Sequence, residues 1–434
     1  MILSAMAIIF ILGYLVIALE HPLKINKSAT ALLLGTALWL IWFKYQASPA
    51  GEALATHHLF ETFGELAQIV FFLMAAMTIV AIIETNDGFS IITSRIKTTD
   101  ARSLMWIISS ISFCLSAILD NLTTAIVMMT LCRKLVGNTK ERLFFAGLII
   151  IAANVGGAWS PIGDVTTTML WMGGQISALG IIKAAFLPSL ACNLVPLIIL
   201  SFVIKGKIRP EPEPEIVEAN KPTDFERNLL FICGICGFLM VPVVKTFFHV
   251  PPYLAMLFVL GVLWLLVEFL RRRHPHQNVP RLNLYHILKK VDLASILFFA
   301  GILLAVGCLS ATGQLGAMAT FLSDHISDTY LITIAIGIFS AIVDNVPLVG
   351  AIMKMYPIEA TSEIFRQDGL FWGFASYCAG TGGNLLVIGS AAGIAAMGID
   401  KNLTFGWYLK RITPLAFFGY VSGAIVFLLI HGTF

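Results

Sequence analysis

Apolar residues run along this chain in blocks of about twenty, the length of a bilayer-crossing helix, not in the alternation of a half-buried strand. Uninterrupted blocks cover residues 2–19, 28–43, 66–83, 181–204, 229–248, 253–270, 293–310 and 405–430. Four others are broken by polar or glycine-rich residues: 104–131 at Asp120-Asn121, 144–172 from Asn154 to Asp164, 330–355 at Asp344-Asn345, and 370–397 from Gly380 to Ser390. The pattern predicts an all-α polytopic membrane protein. The first block lacks a basic leader and a small-residue cleavage site, so it is expected to remain as a span. Between the sixth and seventh blocks lies a polar stretch containing Pro210-Glu-Pro-Glu-Pro-Glu215, which cannot enter lipid. It divides the chain into a first transmembrane repeat (1–204), a cytoplasmic connector (205–228) and a second repeat (229–434).

Composition agrees: 58% of residues are hydrophobic and 12% charged, with a mean hydropathy of +0.88, against about 25% charged in soluble domains. A net charge of +3, with no basic tract interleaved with aromatics, excludes nucleic acid as a partner. The seven cysteines fall in or beside apolar blocks, where Cys acts as a small hydrophobe. Cys233 and Cys236 make a C-x-x-C inside one such block with no further ligand near them, so neither a metal nor a disulfide is expected there.

Lys and Arg in short loops mark the cytoplasmic side. They gather at Lys24/Lys27, Arg95–Arg102, Arg133–Arg142, Lys205–Arg209, Arg271–Arg273 with Lys289/Lys290, and Lys401–Arg411. The second and third clusters flank a single block, so both are cytoplasmic only if that block enters, turns at Asp120-Asn121 and leaves on the same side. Such re-entrant backbone is tolerated where protein or a cavity covers it. The amino terminus is then outside, each half has five crossings, and the hairpin turning at Asp344-Asn345 enters from outside. The halves also match each other at an offset of about 225 residues: Ser116-Ala-Ile-Leu-Asp-Asn-Leu122 with Ser340-Ala-Ile-Val-Asp-Asn-Val346, and Gly156-Gly157 and Gly163 with Gly382-Gly383 and Gly389. An odd number of crossings makes the two copies antiparallel. Each half of this inverted repeat then carries one re-entrant hairpin and one broken helix, the signature of a secondary transporter with its site near the midplane.

Glycine and proline open a helix and free its amides and carbonyls. Around these openings stand Asp120, Asn121, Thr123 and Thr124; Asn154, Asp164, Thr166 and Thr167; Asp344 and Asn345; and Asn384. Such oxygen-rich sites suit a hard cation or a small oxyanion. Charge favours the cation, because Asp120, Asp164 and Asp344 are the carboxylates expected deep in the spans, with no Lys or Arg at that depth. An ionised Asp at the bilayer centre costs at least about 2.5 kcal/mol, which marks such acids as functional. Desolvation disfavours a charged carboxylate and a bound cation favours it, so a proton and Na⁺ held by Asp120, Asp164 and Asp344 would compete. Ser116 and Ser340 are expected to support the site, and Glu65, opening a span at the outer end, to guide cations. All nine histidines are expected in loops or at block ends, which leaves no buried relay. No cofactor is expected; the partners are a monovalent cation, protons and the bilayer. Other readings remain: aspartates that only cap half-helices, a carboxylate or metalloid anion carrier, a passive channel, or an intramembrane aspartyl protease using Asp120 and Asp164, which leaves the copy at Asp344 unexplained.

The segments Asp120-Asn-Leu-Thr-Thr124, Asn154-Val-Gly-Gly-Ala-Trp-Ser-Pro-Ile-Gly-Asp-Val-Thr-Thr167 and Asp344-Asn-Val-Pro347 resemble the NhaD-type sodium/proton antiporters of the ion transporter superfamily. The likeness runs from about Glu65 to Gly398. It implies exchange of Na⁺ or Li⁺ for H⁺ across a bacterial inner membrane, driven by the proton gradient. It also implies the fold of divalent-anion/sodium symporters, a homodimeric scaffold with a transport domain that moves like an elevator. Asp120, Asn154, Asp164, Thr166, Thr167, Asp344 and Asn345 would be the ion-site residues by that likeness. Hairpin tips in the carboxylate carriers resemble Ser-Asn-Thr; Asp-Asn stands at both tips here. The halves differ at one position, with Ser390 where the first has Asp164.

Overall fold

A computed structural model describes residues 2–46, 48–96, 98–208, 222–273, 280–326 and 328–432. The first half consists of α1 (Ile2–Ala18), α2 (Glu20–Leu23), α3 (Lys27–Tyr45), α4 (Pro49–Thr85), α5 (Ser90–Thr93), α6 (Ala101–Ser116), α7 (Asn121–Leu135), α8 (Thr139–Gly157), α9 (Val165–Met172) and α10 (Ala178–Val203). The second contains α11 (Asp224–Phe248), α12 (Pro252–Arg272), α13 (Leu284–Leu288), α14 (Leu293–Ala311), α15 (Gln314–His325), α16 (Thr329–Phe339), α17 (Asn345–Met355), α18 (Leu370–Gly382), α19 (Ala391–Ile399), α20 (Phe405–Arg411) and α21 (Thr413–His431). Among the described residues the sole β pairing is an isolated bridge between Asp100 and Lys207.

Among the described residues, seven helices (α3, α4, α10, α11, α12, α14 and α21) are long and apolar enough to cross a bilayer, and α1, α6 and α16 are shorter apolar helices. Their outer faces carry bare aromatic and aliphatic side chains: Leu429 is 80% exposed, Phe247 75% and Phe258 74%. Surfaces of that kind belong in lipid, and the protein is a multi-pass membrane protein. All seven cysteines are free thiols.

Four expectations shift. The block at 66–83 is the end of a 37-residue helix, α4, whose start is fixed by Pro49 in the first turn and by Ser48 accepting from the Gly51 N–H. His57 and His58 therefore lie within a helix and not in a loop. The stretch before Asp328 holds α15, and the last block divides between α20 and α21, with Pro414 in the first turn of α21. The helix holding the block at 229–248, α11, begins at Asp224, because Thr223 and Glu226 cap it reciprocally. The Pro210–Glu215 run falls outside the described residues, as do His274 and His276.

Two apolar clusters organise the interior. The smaller joins α1, α3, α14 and part of α4 through Met6, Leu38, Trp39, Phe298 and Ile302. The larger surrounds the four broken segments and extends to α10, α11, α12 and α21. Lipid supplies little hydrophobic force between helices, so close approach through small residues does the work. A Cβ on Gly35 of α3 would strike the Gly301 carbonyl of α14, and one on Gly301 would strike the Ala31 backbone. Ser28 and Trp39 add hydrogen bonds to the carbonyls of Ala294 and Leu304 at 2.6 and 2.9 Å. Met169 of α9 and Val346 of α17 reach into this smaller cluster, joining it to the broken segments.

Candidate functional site

Each broken segment ends one helix, turns, and restarts on a residue that caps the next. Asp120 accepts from the Thr123 N–H at 2.7 Å to cap α7, and Asp164 from the Thr166 N–H at 3.4 Å to cap α9. Asp344 accepts from the Val346 N–H at 3.3 Å to cap α17, and Ser390 from the Gly393 N–H at 3.2 Å to cap α19. A carboxylate at a helix amino terminus is favoured by the macrodipole, so capping is one role these residues have. The supporting contacts recur in both halves. Ser116 donates to the Ala153 carbonyl at 2.5 Å, and Ser340 to the Ala379 carbonyl at 2.8 Å. A Cβ on Gly156 would collide with the Phe113 carbonyl, and one on Gly382 with that of Gly337.

Amides join the four breaks. Asn121 donates to Asn154 Oδ1 at 3.1 Å, and Asn154 Nδ2 donates to Asn384 Oδ1 and Ser390 Oγ, each at 2.8 Å. Asn345 Nδ2 donates to Asp164 Oδ2 at 3.1 Å, tying the second hairpin tip to the first broken helix. All of these residues are buried, Asp164 to 2% exposure. Asp120 spends both oxygens on Thr123, the second on its hydroxyl at 2.8 Å. Thr167 donates to the Asp164 carbonyl at 2.9 Å, while the buried hydroxyls of Thr124 and Thr166 have no hydrogen-bond partner.

Three sequence expectations meet the structure differently. Asp344 is not free of cations: Lys27 Nζ stands 3.3 Å from its Oδ2. Lys27 reads in the sequence as a loop charge, but it opens α3 behind an Asn26 cap and its long side chain reaches the hairpin tip. Among the described residues, no ion pair reaches Asp120 or Asp164. Glu65 is away from the amide network, paired with Lys354 at 2.6 Å beside a cavity of about 180 Å³ lined by Met169 and Gly350. Ser390, read only as a point where the halves differ, belongs to the network; its match in position to Asp164 was the available signal. Clefts approach both hairpin tips. One of about 310 Å³ reaches Thr123 between Glu84, Lys290 and Asp292, and one of about 570 Å³ reaches Asp344 beside Tyr14. Glu20 and Lys27 line both.

Residues 7–365 match the citrate transporter family. Over 98% of this chain, sodium/proton antiporter 1 of Arabidopsis thaliana is 43% identical, the match covering 72% of that protein. Sodium/proton antiporter 2 of the same plant is 39% identical over 98% of this chain and 99% of its own length. The Na⁺/H⁺ antiporter NhaD of Vibrio cholerae is 31% identical over 98% of this chain and 91% of its own. The chain belongs to the family of NhaD-type sodium/proton antiporters. The citrate-family match ends before α18, so Asn384 and Ser390 lie beyond it, whereas the antiporter likeness extends over nearly the whole chain. In this NhaD-type protein the arrangement offers buried oxygens and, at Asp164, a carboxylate that accepts from the Thr166 N–H and the Asn345 amide and has no ion-pair partner among the described residues. Chemically, such a cluster can hold a small monovalent cation or protons, and it repels an anion.

Proposed function

We propose that the protein exchanges Na⁺ or Li⁺ for H⁺ across its membrane, the two competing for the cluster of Asp120, Asp164 and Asp344. The observation that carries this reading is Asp164: 2% exposed, bonded to Asn345 and the Thr166 N–H, and without a cation among the described residues. Asn121, Asn154, Asn345, Asn384, Thr123, Thr124, Thr166 and Thr167 furnish or position the surrounding oxygens, with Ser116 and Ser340 holding the hairpins against the broken helices. The partnerless hydroxyls of Thr124 and Thr166 are available ligands. Citrate transport, which the matched family's description raises, would set a carboxylate substrate against three carboxylates and one lysine already taken by Asp344.

The halves are read as inverted repeats, supported by the recurring serine and glycine contacts at an offset of about 225 residues. The smaller apolar cluster is the scaffold and the four broken segments form a body that moves against it, elevator-fashion. With the connector cytoplasmic, the clefts lined by Glu20, Lys27 and Lys290 open inward. A homodimer in a bacterial inner membrane is part of the proposal; the bacterial NhaD relatives support that location and the plant relatives do not. The test is Na⁺-dependent collapse of a proton gradient in proteoliposomes, for wild type and for Asp120→Asn, Asp164→Asn and Asp344→Asn. Wild type is expected to exchange and all three variants to lose at least about 100-fold in rate. Full activity in the three variants, or succinate uptake with no Na⁺-dependent proton flux, overturns the proposal.

A further inference from the structure

Asp344 differs from its counterparts in being held by a cation of the chain itself. Its Oδ1 accepts from the Val346 N–H in capping α17, and Lys27 Nζ stands 3.3 Å from Oδ2, the oxygen with no backbone donor. That distance is long for a charge-assisted hydrogen bond, which settles at about 2.7–2.9 Å. Neither partner is fully removed from solvent, the side chains being 20% and 15% exposed. A partly solvated ion pair of this length is weak, and a small cation with direct access to Oδ2 can displace it.

Lys27 also has somewhere to stay when displaced. Its ammonium lies 4.4 Å from the centre of the Phe298 ring, a favourable contact for a cation that does not depend on Asp344. The groups facing it from neighbouring elements are Glu20, Asp344 and Tyr14, with Lys290 and Asp292 at the rim of the adjoining cleft. Position in the fold gives the contact its meaning. Lys27 stands on α3, locked to α14 by the Gly35–Gly301 approach and the Ser28 and Trp39 hydrogen bonds, whereas Asp344 stands on the tip of a hairpin. The pair joins the start of α3 to a hairpin tip 317 positions away, and on the elevator reading proposed above it exists only while that tip lies beside α3.

We propose that Lys27 is a built-in competitor of the transported cation, occupying Asp344 when the site is empty and leaving when Na⁺ arrives from the side onto which the Lys27 cleft opens. The inference rests on the exchange reading above and deepens it. Binding from that face becomes a swap of one positive charge for another. The apparent affinity is the intrinsic affinity multiplied by the fraction of molecules in which Lys27 has let go. Occupancy of the pair near nine-tenths would weaken apparent Na⁺ binding about tenfold, so the protein engages Na⁺ only when the concentration on that face is high. The opposite face carries no such penalty, because the hairpin tip has then moved away from α3.

The experiment measures half-saturating Na⁺ for proton exchange in everted vesicles, which expose the cytoplasmic face, and in right-side-out vesicles, for wild type, Lys27→Gln, Lys27→Met and Lys27→Arg. In everted vesicles Lys27→Gln and Lys27→Met are expected to lower half-saturating Na⁺ about tenfold, Lys27→Arg to keep the wild-type value, and all four proteins to agree in right-side-out vesicles. Half-saturation is independent of the amount of folded protein, so poor yield of one variant does not hide the result. An unchanged or raised value for both neutral variants in everted vesicles, or an equal shift on both faces, overturns the inference while exchange by wild type leaves the function standing. Absence of Na⁺-dependent proton flux in wild type removes the exchange reading and the inference with it.

Discussion

Two buried aspartates of this protein live under opposite rules. Asp400, at the end of α19, is 3% exposed and receives Arg142 Nε at 2.7 Å, while its other oxygen accepts from the N–H and the side chain of Asn402, both at 3.1 Å. Asp164 is as buried but has only neutral donors, the Thr166 N–H and the Asn345 amide. At Asp400 the positive charge is part of the chain; at Asp164 no cationic side chain forms an ion pair among the described residues, and on the proposed reading a transported cation or a proton takes that place. Burial alone therefore does not mark a transport carboxylate. On the proposed reading, what marks it is burial combined with polar partners and no ion-pair partner among the described residues, and Asp344, with its long Lys27 contact, stands between the two cases.

The largest effect that would break this contrast is on stability. Asp400→Asn removes the carboxylate that receives Arg142 Nε at 2.7 Å, and breaking a buried ion pair from one side costs about 3–5 kcal/mol. Its thermal midpoint in detergent should fall well below that of wild type, while Na⁺ affinity of the folded fraction stays the same. Loss of Na⁺ binding without loss of stability would place Asp400 in the transport site. Ser390→Ala is expected to do less. Asn154 keeps its bond to Asn384 but loses one acceptor, a change of about 1 kcal/mol, seen as a few-fold rise in half-saturating Na⁺. Glu65→Gln should do least: its partner Lys354 already neutralises it and the pair is partly exposed, so exchange should change by less than about twofold. A much larger fall would support Glu65 as a guide for cations.

The spans and the four breaks were legible in the chain because a bilayer imposes length and apolarity, and because glycine, proline and aspartate have few reasons to interrupt a span. Asp120, Asp164 and Asp344 stood out on the same grounds, and all three cap the helices that restart after the breaks. Lys27 did not stand out. A lysine beside a basic loop reads as an orientation signal, and only the start of α3 at that residue brings its side chain to a hairpin distant in sequence. A basic residue in a helix's first turn is at the unfavourable end of the macrodipole, and that was the one hint of acidic partners. The long amino-terminal extension of α4 escaped too, since Glu52, His57, His58, Glu61 and Glu65 interrupt its hydropathy though not its backbone. Arg142 and Asp400 gave no signal, because their pairing joins the two halves across 258 positions.

The contrast between Asp400 and Asp164 comes down to whether Na⁺ and a proton exclude each other at Asp164. The direct measurement adds Na⁺ to purified protein in weakly buffered detergent solution and records proton release, together with the apparent Na⁺ affinity at several pH values. Wild type is predicted to release protons on Na⁺ addition and to need more Na⁺ as pH falls, because a protonated carboxylate cannot hold the cation. Asp400→Asn should release protons in proportion to its folded fraction, and Asp164→Asn should lose most of the release. Undiminished release from Asp164→Asn, or Na⁺ binding by wild type with neither proton release nor pH dependence, would contradict competition at Asp164.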